Sequence, residues 1–207
     1  MYPVLLAVGG WQLWTYGVLV ALAFALGLAL AMREARLAGE DPQRVLDLAF
    51  FVVLAAVVGA KVGFAVTQGE AAGDPLRALW QGGLSFPGGL LAAGAVAAWY
   101  LRRHRLSPAR LADLAAPAVL LGLAVADLGC LAAGCEYGRP TSLPVGLVFR
   151  DARALAPTGV PLHPTQAYSA AWSLVLLAVV LWARGRHAPR QPGQLALLAL
   201  GGLALGQ

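Results

Sequence analysis

Lys61, Asp127, Arg139 and His163 stand out because the chain around them is 59% hydrophobic and only 12% charged. Lys61 lies inside a long apolar run, flanked by Gly59 and Gly63. A charge there is costly and usually faces the protein interior or a water-filled cavity. The flanking glycines let a ligand or a second helix come close. Two structural alternatives stand beside that reading. Lys61 can snorkel to the outer interface near Gln68, or it can pair with Asp127 across a bundle. The stretch Gln81-Gly-Gly-Leu-Ser-Phe-Pro-Gly-Gly-Leu90 is a glycine-rich entry into another apolar run. Its backbone N–H groups, those of Gly88 and Gly89 included, suit a phosphate near a helix N-terminus. Glycine-rich helix starts are also common in membrane bundles.

Cys130 and Cys135 are the two cysteines of the chain. On an unbroken helix they would point about 140° apart, but Gly134 can break the helix and bring them together. Buried structural thiols, a disulfide and a catalytic thiol all fit this spacing. Two thiols without neighbouring histidines make a poor metal site, so no metal and no cofactor are expected. His163-Pro-Thr-Gln-Ala-Tyr168 opens a later apolar run. Histidine exchanges a proton near neutral pH, and Pro164 suits a helix start. Thr165 is expected to cap that helix, with Gln166 and Tyr168 facing the bundle. A plain helix cap with an interfacial tyrosine is the bland alternative.

These residues must be positioned by helices in lipid. A soluble domain carries about 25% charged residues, and this chain lacks the polar surface to cover a soluble core. A bilayer core takes about 20 apolar residues per helix. The runs predict spans over about 11–32, 45–68, 84–101, 111–134 and 165–183, with a sixth from about 193 cut off at Gln207. The expected fold is an all-α polytopic bundle of five complete spans and one truncated span. Strands are not expected, because no period-2 alternation appears. Residues 1–207 read as one transmembrane domain, with C-terminal span or spans missing. The linkers after the first, third and fifth spans hold ten arginines: Arg33, Arg36, Arg44, Arg102, Arg103, Arg105, Arg110, Arg184, Arg186 and Arg190. The opposite side holds four: Arg77, Arg139, Arg150 and Arg153. The positive-inside rule places the first set in the cytoplasm and the N-terminus outside. These basic loops account for the net charge of +5, so no nucleic-acid partner is implied. The stretch from about Cys135 to Pro164 is a long outer loop holding most of the polar chemistry, and loops of that length are usually functional.

The ordered motifs resemble the prolipoprotein diacylglyceryl transferase family. They are Trp14-Thr-Tyr-Gly17, Gly59-Ala-Lys-Val-Gly-Phe64, Asp74-Pro-Leu, Gly82-Gly-Leu-Ser-Phe-Pro-Gly-Gly89, Asp113-Leu-Ala-Ala-Pro117, Leu128 through Arg139, and His163-Pro-Thr-Gln-Ala-Tyr168. They cover almost the whole chain. The resemblance implies transfer of a diacylglyceryl group from phosphatidylglycerol to the thiol of a lipobox cysteine in a prolipoprotein signal peptide, with glycerol phosphate leaving. It also implies a multi-pass protein of the bacterial inner membrane with its active side towards the periplasm. Such chemistry needs cations or N–H donors for the phosphate and a base for the thiol. Lys61, Gly88, Gly89, Arg139, Gln166 and Tyr168 are the candidates for substrate and phosphate binding. Tyr16, His163, Cys130 and Cys135 are the candidates for catalysis.

The sequence departs from the family pattern at several of its polar positions. Pro87 stands where the family motif has a histidine, and Asp127 where it has an arginine. Cys130 replaces an asparagine, Cys135 replaces an acidic residue, and Lys61 replaces an arginine. A late family arginine would fall near Gln207 or beyond. Two other readings follow: a membrane thiol enzyme using Cys130 and Cys135, and a non-catalytic lipid-binding relative.

Overall fold

Lipid offers the backbone no hydrogen-bonding partner, so long apolar runs satisfy their N–H and C=O groups internally as helices. The computed structural model describes residues 3–9, 11–72, 83–186 and 191–206. The Asp74 motif, Gln81 and Gly82, with Arg77, Arg190 and Gln207, lie outside the described residues. The helices are α1 (Thr15–Leu37), α2 (Pro42–Ala72), α3 (Phe86–Arg103), α4 (Pro108–Ala133), α5 (Thr165–Arg186) and α6 (Gln194–Leu205). Their order and number match the sequence expectation closely.

Among the described residues, four stretches have the length and apolarity to cross a membrane: Thr15–Leu37, Pro42–Thr67, Pro108–Ala133 and Thr165–Gly185. The protein is therefore an almost wholly helical membrane protein. The two other helices, α3 and α6, complete the six expected. Helix α3 has 18 residues, two of them the arginines of its last turn. Helix α6 has 12 residues, or about 18 Å at 1.5 Å per residue, well short of a bilayer core of about 30 Å. Large apolar side chains such as Phe24, Phe50, Val66 and Trp182 point outwards, as lipid-facing surfaces require.

Among the described residues strands do occur, against expectation, as two small antiparallel pairs. Strands β1 (Val4–Val8) and β2 (Trp11–Trp14) pair antiparallel, and β3 (Leu147–Val148) pairs with β4 (Pro161–Leu162). Residues 11–14, expected to begin the first span, form β2 instead, and Trp11 is 85% exposed. Short pairs like these show no long alternation, because each is held by what flanks it.

The chain divides into two compact units, Met1–Ala31 with Ala112–Gln207, and Met32–Leu111. In the second unit, α2 and α3 meet at glycines. A Cβ on Gly59 would lie 2.6 Å from the Gly88 carbonyl oxygen, and one on Gly88 would lie 2.9 Å from the Gly63 Cα. Small residues permit this close approach, the usual basis of helix association in lipid. In the first unit, Ala116 and Leu120 of α4, Leu176 and Val180 of α5, and Ala199 of α6 form a buried cluster. The Trp172 indole N–H donates to the Gly202 carbonyl at 2.9 Å. Pro117 interrupts the helical bonding of α4, since it has no N–H to offer the carbonyl of Asp113. The Asp113 carboxylate accepts from the Gly193 N–H at 2.7 Å and the Ala196 N–H at 2.9 Å. It thereby caps α6, whose own N-cap is a glycine without a side chain.

Candidate functional site

The C-terminal end of α4 is built by a helix break. Gly134 takes a left-handed φ of +79°, a conformation that costs glycine little. The N–H groups of Gly134 and Cys135 both return to the Cys130 carbonyl, at 2.8 and 3.1 Å. This turn draws the two cysteines together, and Cys130 and Cys135 form a disulfide with their Cα atoms 4.9 Å apart. Of the three states the spacing allowed, the protein adopts the bridged one. Neither sulfur is a free thiol in this form.

Beyond the bridge the chain runs antiparallel to the residues that lead into α5. The Gly138 N–H donates to the His163 carbonyl at 3.0 Å, and the His163 N–H donates to the Arg139 carbonyl at 3.0 Å. The Thr141 N–H donates to the Pro161 carbonyl at 2.9 Å. Arg139 and His163 are thus backbone neighbours although 24 positions separate them in the sequence. A Cβ on Gly138 would lie 2.8 Å from the His163 Cβ and 2.8 Å from the Thr165 Cγ2, so only glycine fits there without displacement. The rest of the loop is ordered over a small core of Phe149, Ala156 and Leu162. On its exposed edge, hydrogen bonds from Arg153 hold the Asp151 carboxyl down at about 2, and its charge adds to that effect.

The first turn of α5 carries the remaining polar groups. The Thr165 hydroxyl donates to the Glu136 carbonyl, and the Gln166 amide donates to the Cys135 carbonyl. Thr165 therefore ties α5 to the loop and does not cap the helix as expected. Gln166 faces inwards, only 2% exposed, while Tyr168 is 48% exposed and does not face the bundle core. The Tyr168 hydroxyl instead lies 3.3 Å from His163 Nδ1. If Nδ1–H donates to Tyr168, the Nε2 lone pair is left free to take a proton. Tyr16 lies at the start of α1 and packs beside α4, where a Cβ on Gly129 would lie 3.4 Å from the Tyr16 Cδ2. Tyr16, Cys130, Cys135, Arg139, His163, Gln166 and Tyr168 are thus linked within one unit.

Lys61, Gly88 and Gly89 belong to the other unit. Gly88 and Gly89 are not the open phosphate donors the sequence suggests. The Ser85 side chain accepts from the Gly88 N–H at 3.4 Å and the Ser85 carbonyl from the Gly89 N–H at 3.0 Å. Pro87, in the family's histidine position, sits in the first turn of α3, where proline is favoured.

A model of the prolipoprotein diacylglyceryl transferase family matches residues 3–206. The chain belongs to this family. It is 36% identical over 203 residues to a phosphatidylglycerol–prolipoprotein diacylglyceryl transferase of Chromohalobacter salexigens, covering 96% of this chain and 73% of that one. It is 33% identical over 207 residues to the protein of the same name from Bordetella parapertussis, covering 97% and 77%. It is 28% identical over 186 residues to that of Clostridium tetani, covering 88% and 74%. Within the family fold, the sequence reading missed Gly138 and Asp113 as positioning groups. The tight sequence Tyr-Gly-Arg was the available signal for Gly138, and a carboxylate near the start of α4 was the signal for Asp113.

Proposed function

We propose that this chain is a phosphatidylglycerol–prolipoprotein diacylglyceryl transferase working at the outer leaflet of the bacterial inner membrane. The sulfur of a lipobox cysteine attacks the glyceryl carbon next to the phosphate. The carbon–oxygen bond breaks, glycerol phosphate departs, and the thiol proton passes to a base. His163 is assigned as that base, with Tyr168 holding the imidazole so that Nε2 is free. Arg139, its backbone neighbour, is assigned to the lipid phosphate, where a guanidinium can bind two oxygens at once. The Tyr16 hydroxyl is assigned to the same end of the bundle as a further donor.

The observation that carries this reading is the direct backbone pairing of Arg139 with His163 beside the Tyr168 hydroxyl. It supports the reading because Arg139, whose guanidinium suits a phosphate, and His163, which can take a proton, are backbone neighbours although far apart in sequence. The test is transfer of labelled diacylglycerol from phosphatidylglycerol to a lipobox peptide in proteoliposomes. His163→Asn should lower the rate by about 10²–10⁴-fold, the usual contribution of a general base. Full-rate transfer by His163→Asn, or none by the folded wild type, would refute the assignment.

A further inference from the structure

The chemistry proposed for the site does not require the bridge between Cys130 and Cys135, yet that bridge stands at the root of it. Helix α4 ends at Ala133, and the disulfide ties Cys135 back to Cys130 in its last turn. Left-handed residues flank Cys135 closely: Gly134 at φ +79° and Glu136 at φ +53°. A left-handed conformation is uncommon for a residue with a side chain, so Glu136 must be held there by its surroundings. On one side it is held by the bridged Cys135. On the other, its carbonyl accepts from the Thr165 hydroxyl. The Cys135 carbonyl in turn accepts from the buried Gln166 amide. Three residues further on come the bonds that pair Gly138 and Arg139 with His163.

We infer that the Cys130–Cys135 disulfide, acting through Gln166 and Thr165, is a redox-sensitive positioning clamp for Arg139 and His163. This rests on the transferase reading proposed above and deepens it. With the bridge closed, the carbonyls of Cys135 and Glu136 present themselves to the first turn of α5, and Arg139 is aligned beside His163. Reduction by a dithiol breaks the S–S bond. The dithiol gives up two electrons and two protons, both cysteines become thiols, and the reductant becomes a disulfide. The left-handed turn then loses its tether, and the 138–141 segment can drift from 161–163. The sulfurs take no part in the transfer itself. Gln166 and Thr165 are positioning residues, reaching the reacting groups only through the loop.

The test uses the full chain in phosphatidylglycerol proteoliposomes, assayed oxidised, after dithiothreitol, and after reoxidation, with thiol alkylation and mass measurement reporting the bridge. The expected result is a fall of about 100-fold in kcat on reduction, the cost of roughly a 1 Å misplacement, and recovery on reoxidation. Cys130→Ser with Cys135→Ser should show the lowered rate permanently and ignore dithiothreitol, which keeps the inference testable if the bridge resists reduction. Hydrogen exchange at the Gly138 and His163 amides should accelerate in the reduced protein while the helices stay protected. Gln166→Ala should reproduce part of the loss in the oxidised enzyme, and Gln166→Asn should not restore it, being one methylene too short. Unchanged kcat in the double variant would overturn the clamp, and so would increased activity on reduction, which would mark a thiol catalyst. If even the oxidised wild type transfers nothing, the transferase reading fails, and hydrogen exchange alone decides the clamp: unchanged exchange at Gly138 and His163 would refute it.

Discussion

Removal of the Asp113 carboxylate should unlatch the start of α6 without touching the site around Arg139 and His163. The carboxylate accepts from the Gly193 and Ala196 N–H groups at 2.7 and 2.9 Å, reaching across 80 and 83 positions. Hydrogen bonds to a charged group contribute about 1.5–3 kcal/mol each. The two share one carboxylate, and water replaces part of what is lost at a half-buried position. Asp113→Ala should therefore cost about 3 kcal/mol, somewhat above the upper range of about 2 kcal/mol for an ordinary N-cap. Asp113→Asn keeps one acceptor and loses the charge that favours a helix N-terminus, so it should cost about 1 kcal/mol. The assay has two parts. Denaturant unfolding in detergent measures the total, and hydrogen exchange at Gly193 and Ala196 locates it. Both amides should exchange faster in Asp113→Ala, while the buried Leu176 and Val180 cluster of α5 stays protected. Unchanged exchange at Ala196 would show that the cap does not hold α6, and the reasoning would fail.

Other predictions follow from single contacts. Gly138→Ala places a methyl 2.8 Å from the His163 Cβ and the Thr165 Cγ2. It should destabilise by about 1–3 kcal/mol, as overpacking does, and lower transfer activity through displacement of His163; a full-activity variant would refute the close approach. Gly88→Ile should disrupt the α2–α3 crossing at Gly59 and Gly63, seen as loss of monodisperse protein on size-exclusion chromatography. Asp151 is held at about 2 by Arg153. Because its folded value lies below the unfolded one, its contribution is present above the unfolded value and disappears as pH falls through about 2. The melting difference between wild type and Asp151→Asn should thus be constant near neutral pH and shrink in acid. A difference that grows in acid would contradict the pairing.

Much of the architecture is legible in the sequence because lipid imposes a simple rule. Low charge and apolar runs of sufficient length dictate helices. Helix ends were placed within a few residues, and the motifs around Gly59, Asp113 and His163 carried the family. The shortfalls have physical causes. Residues 11–14 carry no charge and run straight into the apolar helix, so composition could not reveal that they pair with β1. Thr165 looks like a cap from sequence because its alternative partner, the Glu136 carbonyl, lies 29 positions away.

The sequence by itself determined that this chain lives in a membrane, how its helices run, and which residues can bear charge or exchange a proton. It also placed Cys130 and Cys135 close enough to bridge, without deciding whether they do. Tertiary structure decided the partnerships. It joined the two sulfurs across a left-handed turn, set His163 against Arg139 and Tyr168, and sent the Asp113 carboxylate to a distant helix. The physical reason is that helix formation in lipid follows from local composition, whereas each of these contacts needs a chain reversal that brings remote backbone groups within hydrogen-bonding distance.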